Sequence, residues 1–212
     1  MVQRSPTMIV NLEPSAQLPY ALYQEGPSTD DCDLIAISSP LSVLKKTHQI
    51  LTKQSKKLDS ELLKKLDKIG FVLDYGEDNT GWQFKYLTRG GGYYFNVGAS
   101  NLVADKKIKL IQFTDIKEFL SDGIIHNSKK LKYDSFVFAT GYKGQEYMVK
   151  KFFGNEVANK VGKIWDFDSK KQELNNMFVK TNQLGLWFIA GSLAQCRIFS
   201  KYLSFQIFKE LK

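Results

Sequence analysis

Two runs in the sequence, YDSFVFATGY at 133–142 and GLWFIAGS at 185–192, end an apolar stretch in small residues. Near-continuous apolar strands are typical of a parallel sheet covered on both faces. In an open α/β sheet, ligands bind outside the carboxyl ends of the strands. Small residues at those ends let the backbone approach a ligand closely. Ala139-Thr140-Gly141 and Ala190-Gly191-Ser192 are therefore candidate contacts for one nucleotide-like cofactor. The competing reading of each is a strand followed by an ordinary tight turn. Other chemistry is sparse. His48 falls in a Lys-rich helix and His126 in a polar turn. Neither has a Ser or Cys in a nucleophile setting, nor a metal ligand at i+3 or i+4, so both read as exposed bystanders. Cys32 and Cys196 lie far apart without metal-type spacing and read as buried free thiols of a reducing compartment. No catalytic residue and no metal ligand is assigned.

The elements that would position these runs divide the 212 residues into four stretches. Val2-Gln3-Arg4-Ser5 reads as the end of a buried strand followed by a Pro turn. The rest of 1–40 contains Pro14, Pro19, Pro27 and Pro40 and predicts irregular chain, apart from a short apolar segment at 34–37. Residues 41–70 predict helix, with Leu44, Ile50, Leu51, Leu58, Leu62, Leu66 and Ile69 as a partial apolar stripe and Gly70 as its C-terminal stop. Residues 71–105 read as turns. Beyond them come a strand at 108–113, the two apolar runs as strands, and a C-terminal helix with Cys196, Phe199, Leu203, Ile207 and Leu211 on one face.

Charge narrows the function classes. Thirty Lys+Arg stand against 22 Asp+Glu, a net charge of +8, and eight lysines fall between Lys45 and Lys68. No aromatic or Arg is interleaved there to stack bases or grip phosphates, so a solvated helix is expected rather than a nucleic-acid partner. No apolar run reaches the roughly 20 residues of a membrane span, and the first residues do not read as a signal peptide. A cytoplasmic protein is expected.

Four segments taken together are more specific. VQRSPT, RGGGYYFNVGASNLVADKKIKL, DSFVFATGYKG and GLWFIAGSLAQCRIFSKYLSFQI occur in this order and resemble the second half of a flavin-containing monooxygenase. The resemblance covers nearly the whole chain. It implies an α/β fold: a partial flavoprotein of two Rossmann-like dinucleotide-binding domains, with parallel sheet elements and helices. Residues 1–90 would be the remainder of the NADPH-binding domain, and 91–212 the C-terminal part of the FAD-binding domain. Both G-x-G-x-x-G loops of the family, which hold pyrophosphate at a helix N-terminus, lack a counterpart here. Gly90-Gly91-Gly92 is followed by Tyr-Tyr and no helical pattern, so it does not replace them.

By the same resemblance, Arg4 would pair with the 2′-phosphate of NADPH and Ser5 would add a hydroxyl donor. Thr140 and Gly141 would organise the turn that backs the FAD, with Asp134 ahead of the strand. Gly191, Ser192, Leu193 and Gln195 would lie near the flavin end. Here Ala190-Gly191-Ser192-Leu193 departs from the His-Gly-Gly-Asn frequent in the family, which leaves backbone contacts but removes side chains. Arg197 falls where the family commonly has Arg, and otherwise reads as a helix-start salt bridge. The implied chemistry is that NADPH reduces FAD, which activates O₂ to oxygenate a small organic substrate. The chain would be active only with a complementary N-terminal half. Two alternatives stand beside this: a degenerate, non-catalytic module that binds a partner or full-length paralogue, and a non-functional truncated product. A half-sheet should expose strand edges and apolar faces. FVFAT and LWFIAG carry no polar replacements, so a chain that on its own binds FAD weakly or not at all and tends to aggregate is expected.

Overall fold

A computed structural model describes residues 1–212. It is a mixed α/β structure with small parallel sheets, and it falls into two packing units that interleave in sequence. Unit 1 comprises Met1–Tyr20, Lys46–Tyr86 and Gly91–Gly141. Unit 2 comprises Ala21–Lys45, Leu87–Gly90 and Tyr142–Lys212.

Unit 1 is built on two parallel strand pairs. Strand β1 (Val2–Gln3) pairs with β4 (Ile111–Gln112), and β2 (Met8–Asn11) pairs with β3 (Tyr93–Asn96), Met8 opposite Tyr93 and Asn11 opposite Asn96. β2 is buried on both faces, as a parallel strand requires. Ile9 meets Leu62, Leu63 and Leu66 of α4 (Ser60–Lys68) and Val103 of α6 (Ala99–Ala104). Met8 and Val10 point the other way, toward Ala16 and Trp82. Trp82, from α5 (Gly81–Arg89), sets its ring edge-on to Phe95 at 4.9 Å.

The end of α4 follows its sequence. Gly70 takes a left-handed φ of 83°, its N–H donates to the Asp67 carbonyl, and the Phe71 N–H donates to the Leu66 carbonyl. This closes the helix and carries Phe71 onto Leu66 in the core. The stripe expected along α3 (Leu41–Leu58) is not the buried one. Ile50 and Leu58 are exposed, and Thr52 and Ser55 are buried instead. The reason is steric: a Cβ on Gly81 would lie 2.2 Å from Thr52 Oγ1, so α5 begins against α3 at a distance that only small side chains permit.

A side-chain amide completes the unit's strand seam. Gln3 is buried, its Oε1 accepts from the Val72 N–H at 3.0 Å, and its Nε2 donates to the Val72 carbonyl at 2.9 Å. Gln112 Nε2 donates to the same Gln3 Oε1 at 2.9 Å. A three-stranded antiparallel sheet follows, β5 (Ile116–Leu120), β6 (Gly123–His126) and β7 (Lys129–Lys132).

Unit 2 packs helices and loops. They include α1 (Ala21–Glu25), α2 (Thr29–Ser38), α7 (Gln145–Val161), broken at Gly154, and α8 (Leu193–Glu210). Its core joins Val149, Val161, Met177, Phe178 and Leu203, with Cys196, Phe199 and Ile207 of α8 packed against it. That is the expected face of the C-terminal helix, except Leu211, which is exposed. No helix is long and apolar enough to cross a membrane.

Several local expectations need correction. Residues 1–40 contain β2 and α2, and 71–105 contain α5, β3 and α6. The runs at 133–142 and 185–192 are not strands. Val137 is 93% exposed and Phe138 70%. A strand is defined by hydrogen bonds to a neighbour, and no strand pairs with either run. The strand expected at 108–113 shortens to β4.

Candidate functional site

Arg4 and Ser5 follow β1 at its carboxyl end, and both are exposed. The Ser5 carbonyl accepts from Thr7 Oγ1 at 3.0 Å and from Gln3 Nε2 at 3.2 Å, which fixes the turn into Pro6. Arg4 has no acidic partner, so its guanidinium is available to an anion.

Thr140 and Gly141 lie at the end of the exposed 133–142 run, and Asp134 lies at its start. Gly141 has a φ of 81°, so the turn needs a residue without a Cβ penalty. Yet a Cβ there would meet nothing within 4 Å. The left-handed turn exists without a wall around it.

In unit 2, Gly191 has a φ of 107° and Ser192 caps α8. Ser192 Oγ accepts from the Gln195 N–H at 3.2 Å, and the Ser192 N–H donates to Gln195 Oε1 at 3.2 Å. This capping box occupies both side chains. Leu193 is 90% exposed. What the segment still offers is backbone N–H groups of the first helical turn. Arg197 is bound elsewhere: Nε donates to Asp33 Oδ2 at 2.8 Å and Nη2 to Asp33 Oδ1 at 2.5 Å, tying α8 to α2. The Arg197 hydrogen bond holds Asp33 below the usual carboxylate range. Burial, then the hydrogen bond to Asp33, raises Tyr23 to about 12.

The two histidines depart from their expected settings. His48 is half-buried with its ring edge-on to Phe84 at 5.5 Å, and burial lowers its pKa to about 4. His126 ends β6, with Nε2 3.9 Å from Asp115 Oδ2. Cys32 and Cys196 are free thiols, the first buried and the second partly so.

Three polar features of unit 1 were not foreseen. At the carboxyl ends of β2 and β3, buried Asp59 accepts from the Asn11 N–H at 3.0 Å, Asn11 Nδ2 at 2.8 Å and Ser15 Oγ at 2.6 Å. Asn96 donates to Asn11 Oδ1 and Asn101 Oδ1 and accepts from the N–H groups of Gly98 and Ser100. Every group here is satisfied within the chain, which makes the cluster a clasp. The Asn-Val-Gly spacing at 96–98 is its one sequence signal. Lys85, 2% exposed, pairs with Asp74, whose other oxygen accepts from the Gly76 N–H at 2.9 Å. The third is a groove of about 780 Å³ that includes five lysines and His126 in its lining.

The fit of these residues to a dinucleotide is partial. Arg4 suits a phosphate, and the start of α8 and the turn at Gly141 suit backbone contacts. The groove and a smaller cavity of about 260 Å³ at Asp59, both in unit 1, are lined by other residues. No protein-family model matches this chain, and no curated protein matches it with significance.

Proposed function

We propose that this chain is part of a flavin-dependent monooxygenase, with 1–90 from the NADPH side and 91–212 from the FAD side. It would work only together with a complementary N-terminal half that brings the two Gly-rich loops. The observation that carries this reading is the state of the run at 133–142. Its sequence is that of a buried parallel strand, but it lies exposed and unpaired, with Val137 and Phe138 in solvent. Such a run is complete only beside strands supplied from elsewhere. Thr140 and Gly141 at its end would then gain the wall they lack.

In the joined protein Arg4 would hold the 2′-phosphate of NADPH as a free guanidinium, with the Ser5 hydroxyl beside it. The start of α8 would present backbone N–H groups to the FAD, while Ser192 and Gln195 hold that start in place. Bound FAD, reduced by NADPH, supplies the oxygen chemistry on a small organic substrate.

The test mixes the full chain with a recombinant N-terminal half of a flavin monooxygenase that carries both loops. Gel filtration then follows flavin absorbance. The expected result is flavin that elutes with the pair and with neither piece alone. No flavin with the pair sinks the enzyme reading and leaves a module that binds a partner without catalysis. Stoichiometric flavin on this chain alone would show that no complement is needed.

A further inference from the structure

The large groove of unit 1 has no part in that reading. It lies beside the amino-terminal ends of β1 and β4, where the Met1 amino group donates to the Lys109 carbonyl. Arg4 and Ser5 mark the opposite, carboxyl ends. Lys68, Lys106, Lys109 and Lys132 line the groove without an acidic partner. The remaining cation and the histidine face acids: Lys130 pairs with Asp122 at 2.7 Å, and His126 stands 3.9 Å from Asp115. Between the charges the lining is apolar, with Ile69, Leu110 and Leu131 partly buried.

Four uncompensated cations around one opening repel each other and attract an anion. Apolar side chains inside the same opening favour a ligand that removes them from water. A bare anion satisfies the first condition only, and a neutral lipid the second only. The volume of about 780 Å³ is that of a small-molecule site. We infer that this groove binds an anionic amphiphile, a phosphate or carboxylate head on an apolar tail, with the head among Lys106, Lys109 and Lys132 and the tail over Leu110 and Leu131.

Calorimetric titration of the full chain with dodecyl phosphate, below its micelle concentration, tests this. Inorganic phosphate and dodecyl maltoside each lack one of the two features. Dodecyl phosphate is expected to bind one-to-one, at least about tenfold tighter than either control, and to lose about tenfold in the Lys109→Glu/Lys132→Glu variant. Lys68→Glu provides an independent charge reversal, and circular dichroism checks that each variant is folded. Undiminished binding by both folded variants, or equal affinity for dodecyl maltoside, overturns the assignment. Vesicles of phosphatidylcholine with phosphatidic acid separate the two sources of such a head. Competition by the vesicles with free dodecyl phosphate makes a lipid head group the ligand; failure to compete makes it a free amphiphile. Binding to vesicles without saturable binding of the free compound overturns the groove and leaves only a charged surface.

Discussion

Strand β2 and the run at 133–142 are both short apolar segments of unit 1, with opposite fates. Met8 and Val10 are 1% and 0% exposed, whereas Val137 and Phe138 stand in solvent. Their residue types do not explain this, because Val and Phe favour strands as strongly as Met and Val do. The difference is company. β2 has β3 along one edge, α4 and α6 on one face and Trp82 on the other. The run at 133–142 has aromatic neighbours, Phe119 of β5 against Phe136 and Phe138, but no strand hydrogen-bonded to it. Burial in this protein follows available partners more closely than hydrophobicity.

The strongest way to break the contrast is to attack the covered region from its polar rim. Lys85→Met leaves the Asp74 carboxylate without its buried cation. It is expected to destabilise unit 1 by about 3 kcal/mol, measured as a lower urea midpoint. A change below 0.5 kcal/mol would mean that Asp74 is rescued by solvent.

A smaller effect comes from pH. His48 has a folded pKa of about 4, below its ordinary 6.5, so the fold favours the neutral ring. The unfolded chain binds the extra proton between these values. Its contribution is full above pH 6.5 and is lost as pH falls toward 4, on the order of 2 kcal/mol. Urea titrations across that range should show the loss, and His48→Gln should flatten it. An unchanged slope in that variant assigns the pH response to other groups.

The exposed run should respond least. Val137→Ser with Phe138→Ser is expected to change stability by less than about 0.5 kcal/mol and to lower self-association in light scattering. The same double variant should fail to retain flavin in the mixing experiment. A large loss of stability would mean that the run is already packed in the free chain.

The two regions also separate what could be read in advance. The stop at Gly70 and the α8 face through Cys196, Phe199, Leu203 and Ile207 were legible, because a helix writes its own period and termination locally. β2 was not, since Met-Ile-Val-Asn sits among prolines and only its pairing with β3 makes it a strand. The α3 stripe misled because Gly81 lies about thirty positions beyond Thr52 in sequence, and their close approach has no local signature. At the candidate site, the phosphate role proposed for Arg4 comes from the resemblance and not from its residue type. Nothing in the residue identities signalled that Ser192 and Gln195 would be used up in capping, whereas the helix-start salt bridge that was the other reading of Arg197 is present, with Asp33 as its partner. The groove lysines are dispersed from Lys68 to Lys132, so no window along the chain gathers them.

The amide of Gln3 acts as a key cut to one position. It spans a place where backbone pairing is interrupted, offering both donor and acceptor to Val72, a match that neither Glu nor Leu reproduces. The connection Arg4-Ser5-Pro6 sets how far that key stands from Thr7, whose own N–H donates to the same Val72 carbonyl at 3.1 Å. One residue inserted there would shift the spacing between the two contacts and turn Gln3 to the other side of the chain. The length of this three-residue link is thereby fixed more tightly than its composition.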